Sequence, residues 1–236
     1  MKLTALMSMA AAAATLCCGA FADEAKIEAP KAQAAAVKAD AYADGPKPSQ
    51  SWTFFQPAFF PGAPSATKDS TVYGVKMGVP MSAGDNYVCG MEASFLYSGT
   101  NYVDGVQGAM LGAAIARKVN GINGVWFGYV QAREVNGMQC AIGPCIAKTM
   151  NGFQPSCASI TLEKSNGCQI SFANVANAEF NGLQVAAVNV ASENLDGFQL
   201  GAVNYSKHNG VQFGVINIIK DAWIPVLPLI NVSFKD

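Results

Sequence analysis

Residues 181–217 read NGLQVAAVNVASENLDGFQLGAVNYSKHNGVQFGVIN, and one phrase occurs in them three times: Gly, apolar, Gln, apolar, small, apolar, apolar, Asn. Leu183, Val185 and Ala187 share one parity, and Gln184 and Ala186 share the other. A strand sends alternate side chains to opposite faces, whereas a helix needs apolar spacing of three and four. The alternation returns at Phe198, Leu200 and Ala202 against Gln199 and Gly201, and at Val211, Phe213 and Val215 against Gln212 and Gly214. Each copy therefore contains a β-strand, whose apolar parity is expected to form the buried core between neighbouring copies.

Working outward, the glycine that opens each copy recurs at Gly74, Gly90, Gly105, Gly121, Gly137, Gly152, Gly167, Gly182, Gly197 and Gly210. By subtraction the intervals are 16, 15, 16, 16, 15, 15, 15, 15 and 13. A period this steady is the mark of a repeat architecture. Most copies place Asn or Asp before the glycine, as at Asp104, Asn136 and Asn181. That dipeptide supplies positive φ where a chain must turn.

Two architectures satisfy the pattern. In an all-β parallel β-solenoid of about ten 13–16-residue repeats, each copy is one coil and like residues stack on like. In an up-and-down antiparallel sheet or outer-membrane β-barrel, each copy is one strand and a turn, and the motif falls at alternate ends of successive strands. Barrel strands usually alternate short turns with long loops, and the intervals show no such alternation. The solenoid is therefore the expected fold, and the barrel is the alternative.

The chain has 236 residues, of which 51% are hydrophobic and 13% charged, with net charge −1. So few Lys and Arg leave no electrostatic footprint for nucleic acid or for an anionic membrane surface. Residues 1–22 carry one Lys, an apolar run and Ala20-Phe21-Ala22, the pattern of a signal peptide with an A-x-A cleavage site. Cys17 and Cys18 invite a lipoprotein reading, but Leu16 stands where a small residue is expected. Residues 23–50 are rich in Ala, Lys and Pro and are expected to form a disordered tether. Residues 51–73 are read as an N-terminal cap, 74–220 as the repeat array and 221–236 as a C-terminal cap, because SWTFFQPAFFPGAP (51–64) and DAWIPVLPLINVSF (221–234) break the period.

Serial G-x-Q-x-G-x-x-N units, best formed at Gly182–Asn189, Gly197–Asn204 and Gly210–Asn217 and closed by WIPVLPLIN, resemble the short-repeat surface proteins of leptospires and other Gram-negative bacteria. The resemblance covers roughly residues 52–234 and implies export to the periplasm, outer membrane or cell surface. It supplies no catalytic residue, and the repeat departs from the pattern between Gly137 and Ser159.

Candidate chemistry is sparse. Gln139, Gln154, Gln169, Gln184, Gln199 and Gln212, with Gln107, form a row that is either a structural amide ladder or a recognition face. Cys140, Cys157 and Cys168 fall on the apolar parity and are read as small core residues, with a disulfide between neighbouring coils among Cys140, Cys145, Cys157 and Cys168 as the alternative. His208 is the only histidine and no C-x-x-C occurs, so neither a metal site nor a catalytic triad is expected, and no cofactor. Without a regular Thr row an ice-binding face is disfavoured, and no acid/base pair marks a glycan-acting enzyme. The expectation is an exported non-enzymatic envelope or surface scaffold, structural or adhesive, with an envelope, matrix or glycan partner. A membrane enters only through the barrel alternative, as a structural or pore role.

Overall fold

The structure, a computed structural model, describes residues 51–61, 63–65 and 70–234. The signal peptide, the lipidation reading of Cys17 and Cys18 and the tether lie outside the described residues. No helix occurs among those described, and the chain forms one sheet wound into about eleven turns.

In order the strands are β1 (Trp52–Ala58), β2 (Thr71–Gly78), β3 (Met81–Ser94), β4 (Tyr97–Ala141), β5 (Pro144–Pro155) and β6 (Ala158–Ile170), then β7 (Ala173–Ala176), β8 (Glu179–Val185), β9 (Val188–Leu200), β10 (Val203–His208), β11 (Gly210–Ile219) and β12 (Val226–Ser233). Among the described residues every strand ladder is parallel except the last, β11 with β12. Gly182 lies beside Gly167 and Gly197, and Gln184 beside Gln169 and Gln199, so the repeat is a coil of a parallel β-solenoid. The antiparallel barrel is thereby corrected: like residues meet like, which strands of alternating direction do not allow.

One side of each coil is the Gly-x-Gln-x strand, here called a rung. Gln56, Lys76, Glu92, Gln107, Asn123, Gln139, Gln154, Gln169, Gln184, Gln199, Gln212 and Asn231 stack as the inward residues of twelve rungs, and all are buried. The second side carries the inward column Val130, Cys145, Ser159, Asn174, Asn189, Asn204 and Asn217. A third inward column, Val72, Val88, Val103, Val135, Met150, Ser165, Phe180 and Leu195, supplies the apolar core.

The expected orientation of the rung is reversed. Gln199 is fully buried, while its flanking residues Phe198 and Leu200 are 53% and 51% exposed. The corners explain why amides turn inward. Carbonyls at a corner accept a second hydrogen bond from the stacked amides beside the backbone N–H each already holds: Phe213 O accepts from Gly201 N at 3.0 Å and Asn204 Nδ2 at 2.8 Å, and Leu200 O from Ala186 N at 3.0 Å and Asn189 Nδ2 at 2.9 Å. Gln199 Nε2 donates to Tyr205 O at 3.1 Å on the second side. An apolar residue at these positions supplies neither these added bonds nor the amide-to-amide contacts of the stack.

Close stacking also demands the glycine. Gly182 has φ +134° and lies so near Gly167 that an added Cβ meets the Gly167 carbonyl oxygen at 2.0 Å. The Asn before it does not reverse the chain. It stands on an outer edge and joins a ladder in which Asn181 Nδ2 donates to Asn166 Oδ1 at 2.9 Å and Asn166 Nδ2 to Asn151 Oδ1 at 2.7 Å.

The ends differ from the expected caps. β1 is already a rung, with Phe54-Phe55-Gln56-Pro57 in the place of Gly-x-Gln-x and Gln56 beside Lys76. At the other end β12 does close the stack, running antiparallel with Asn231 against Gln212. The aromatic side chains do not plug the ends, however: Phe54, Phe60 and Trp223 are 69%, 58% and 94% exposed.

Candidate functional site

From Gln139 to Gln212 the rung's inner surface is a continuous amide ladder. Gln154 Nε2 donates to Gln139 Oε1 at 2.8 Å, Gln169 to Gln154 at 2.8 Å, Gln184 to Gln169 at 2.8 Å, Gln199 to Gln184 at 2.7 Å and Gln212 to Gln199 at 2.8 Å. The six glutamines offered as recognition-face candidates are thus fully buried and bonded to one another. This corrects the recognition-face alternative, because no partner reaches them without opening the coil.

What the rung presents outward is its other parity. The residue after the glycine forms one column, including Val106, Ile122, Phe153, Leu183, Phe198 and, on β12, Val232. The residue after the glutamine forms the second, including Met77, Ile170, Leu200, Phe213 and, on β12, Ile230. Phe55 and Pro57 of β1 open the two columns. Over twelve rungs neither column contains a charged residue.

Charge is kept to a different edge. Lys118–Glu134, Lys148–Glu163, Lys164–Glu179 and Lys207–Glu193 pair across neighbouring coils at 3.2, 3.0, 3.4 and 2.5 Å. Such exposed pairs are screened by water and contribute little to stability. The hydrogen bond from Lys207 is the main reason that the Glu193 carboxyl is held below its ordinary value. One pair is interior: Lys76 and Glu92 meet at 3.3 Å inside the stack, with Thr100 accepting from Lys76 and Ser82 donating to Glu92.

The cysteines are placed differently from expectation. No disulfide links the described cysteines. Cys140 and Cys168 lie on the outward columns and are partly exposed, while Cys145, on the second side, is the fully buried one. Burial pushes the Cys145 thiol up to about 12, against a hydrogen bond with Ser156 that lowers it. Cys140, Pro155 and Ile170 also line an open groove of about 680 Å3 beside Trp126 and Ile142.

His208 sits at an exposed corner with Nδ1 2.9 Å from Asp221 Oδ2. Among the described residues no group of three His, Cys, Asp or Glu side chains is arranged to hold a metal ion, and no helix is long and apolar enough to cross a membrane. Fold and surface together define a parallel β-solenoid with an amide-filled interior and an apolar outer side. Comparison with family models, curated proteins and solved structures finds no match.

One signal in the sequence does point to the outward columns. Stacked interior positions hold one size and one hydrogen-bonding pattern, so they repeat as Gln. The flanking positions range over Val, Met, Ile, Phe, Cys, Leu, Pro, Ala and Gly, whereas the position between them is Gln in eight of the twelve rungs, the constancy that an amide ladder requires.

Proposed function

We propose that the chain is an exported, non-enzymatic envelope or surface scaffold of a Gram-negative bacterium, which works by docking the apolar side of its solenoid against a partner surface. The observation that carries this reading is the pair of outward columns, uncharged along twelve rungs while the ionic residues are gathered elsewhere. Monomeric proteins rarely leave a contiguous apolar patch above a few hundred Å2 exposed, and larger ones mark interaction sites. Export rests on the amino-terminal pattern ending at Ala22. A docking role of this kind needs no acid/base pair, nucleophile or bound metal.

Expression in a Gram-negative host tests the compartment. The expected outcome is a mature chain beginning at Asp23, recovered from the periplasm or released by protease shaving of intact cells. An uncleaved chain retained in the cytoplasm overturns the proposal.

A further inference from the structure

The outward column that follows the glutamine varies in size along the solenoid in a way that selects a partner. In the column that follows the glutamine, Ala93, Gly108 and Gly124 occupy the third, fourth and fifth rungs. Ile170, Val185 and Leu200 occupy the eighth, ninth and tenth. A shallow stretch near one end is therefore matched by a raised stretch equally far from the other.

Resting on the docking role proposed for this side, we infer that its occupant is a second copy of the same chain, packed face to face with its long axis reversed. A two-fold axis lying between two facing sheets and across the strand stack keeps each column over its own counterpart. It sets each rung against the rung equally far from the opposite end, since closed pairs are isologous. With twelve rungs, Ala93 then faces Leu200, Gly108 faces Val185 and Gly124 faces Ile170 of the other copy. Every large side chain in this set meets a small one. At the axis, between the sixth and seventh rungs, Met138 faces Phe153 and Cys140 faces Pro155.

The dimensions agree. Twelve rungs at ~4.8 Å and four residues across at ~3.3 Å give a footprint of roughly 50 by 13 Å, about 700 Å2. That approaches the ~800 Å2 each partner contributes to a stable interface. Two copies also share one rung spacing, so their side chains interdigitate along the whole length, as facing sheets do at about 10 Å. A lipid surface offers no such match, and the face carries no cation to attract anionic headgroups. The Lys–Glu edge stays in water in the pair.

The test uses the full exported chain. Sedimentation equilibrium is expected to give the mass of two chains. Ala93→Asp alone and Leu200→Lys alone are expected to weaken association at least tenfold with unchanged far-ultraviolet circular dichroism. The double variant Ala93→Asp/Leu200→Lys regains it, because the new charges meet across the interface.

A monomeric wild-type chain, single variants that remain dimeric, or a double variant that stays apart each overturn the pairing. So does a monomer that floats with phosphatidylcholine vesicles, which assigns the face to lipid. Should the variants fail to fold, the wild-type protein answers by itself. Its Cys140 residues lie about 11 Å apart across the axis, offset by one rung, and its Cys168 residues about 18 Å apart, offset by three, taking ~4.8 Å per rung and ~10 Å between sheets. A short bis-maleimide is therefore expected to give the Cys140–Cys140 link in preference to Cys168–Cys168, and the reverse preference overturns the arrangement. An exported monomer removes only this pairing, and a cytoplasmic dimer removes only the compartment.

Discussion

At the scale of the residue, the interior is decided by whether each amide finds its neighbour. Asn123 stands in the glutamine column between Gln107 and Gln139, one methylene too short to reach either. Both of its side-chain polar atoms are buried without a partner, as is Gln107 Oε1. Each such atom costs about 1–3 kcal/mol. Asn123→Gln is accordingly expected to join the two ladder segments and stabilise the protein by about 1–2 kcal/mol, read as a higher denaturant midpoint at unchanged slope.

Lys76 and Glu92 replace two amides of the same column by a buried ion pair. Lys76→Met leaves Glu92 charged and unpaired, and should cost about 3–5 kcal/mol. Lys76→Gln with Glu92→Gln continues the ladder instead and is expected to recover that loss or exceed it in the same unfolding measurement.

Cys145 adds a pH dependence. Its thiol stays protonated in the fold up to about 12, whereas an unfolded thiol ionises near ~8.5. Above that lower value the unfolded chain binds fewer protons, so stability is fully present below pH ~8.5 and falls as pH rises through the window. The guanidinium midpoint should decline between pH ~8.5 and ~9.5, and Cys145→Ala should flatten the decline.

At the scale of the element, the rungs from β2 to β11 are strands opened by glycine. The added Cβ of Gly182→Ala meets the Gly167 carbonyl at 2.0 Å, in a backbone conformation of φ +134°. Strain of this kind costs about 1–3 kcal/mol before any displacement of the neighbouring coil. Loss of at least ~2 kcal/mol is expected in thermal or denaturant unfolding. A matching substitution outside the stack, Val185→Ala on the outward column, should change monomer stability far less, since Val185 is only partly buried.

The corner is the other element that local pattern alone does not describe. Asn174, Asn189, Asn204 and Asn217 bond both to each other and to corner carbonyls, and so form an interior ladder. The Asn before each glycine lines the outer edge, and the two Asn series have different surroundings despite one chemical identity.

At the scale of the whole molecule, neighbouring coils support one another and the ends need separate treatment. β12 covers the last parallel rung, pairing antiparallel with β11 from Gly210–Ser233 to Ile218–Val226. Deleting residues 221–236 uncovers a parallel edge and the end of the glutamine column. Amide hydrogen exchange should then quicken in β11 first and spread inward, with aggregation at raised concentration, while β5 and β6 keep their protection.

The sequence by itself determined the period, the strand in each copy and the place of the glycine, and favoured the stacking of like on like, because a repeat writes its geometry once per coil; that the glycine serves a close approach of coils came from the structure. Only the tertiary structure decided which parity faces inward. A two-residue period defines two faces and ranks neither, and hydrophobicity favours the wrong one where stacked amides satisfy each other and the corner carbonyls. Gln56 and Asn231 joined the column for a related reason: their partners are set by coil geometry, across an interval of 20 residues from Gln56 to Lys76 and across a reversed strand at Asn231. The outward apolar columns, and with them the docking side, became visible once the amides were placed inside.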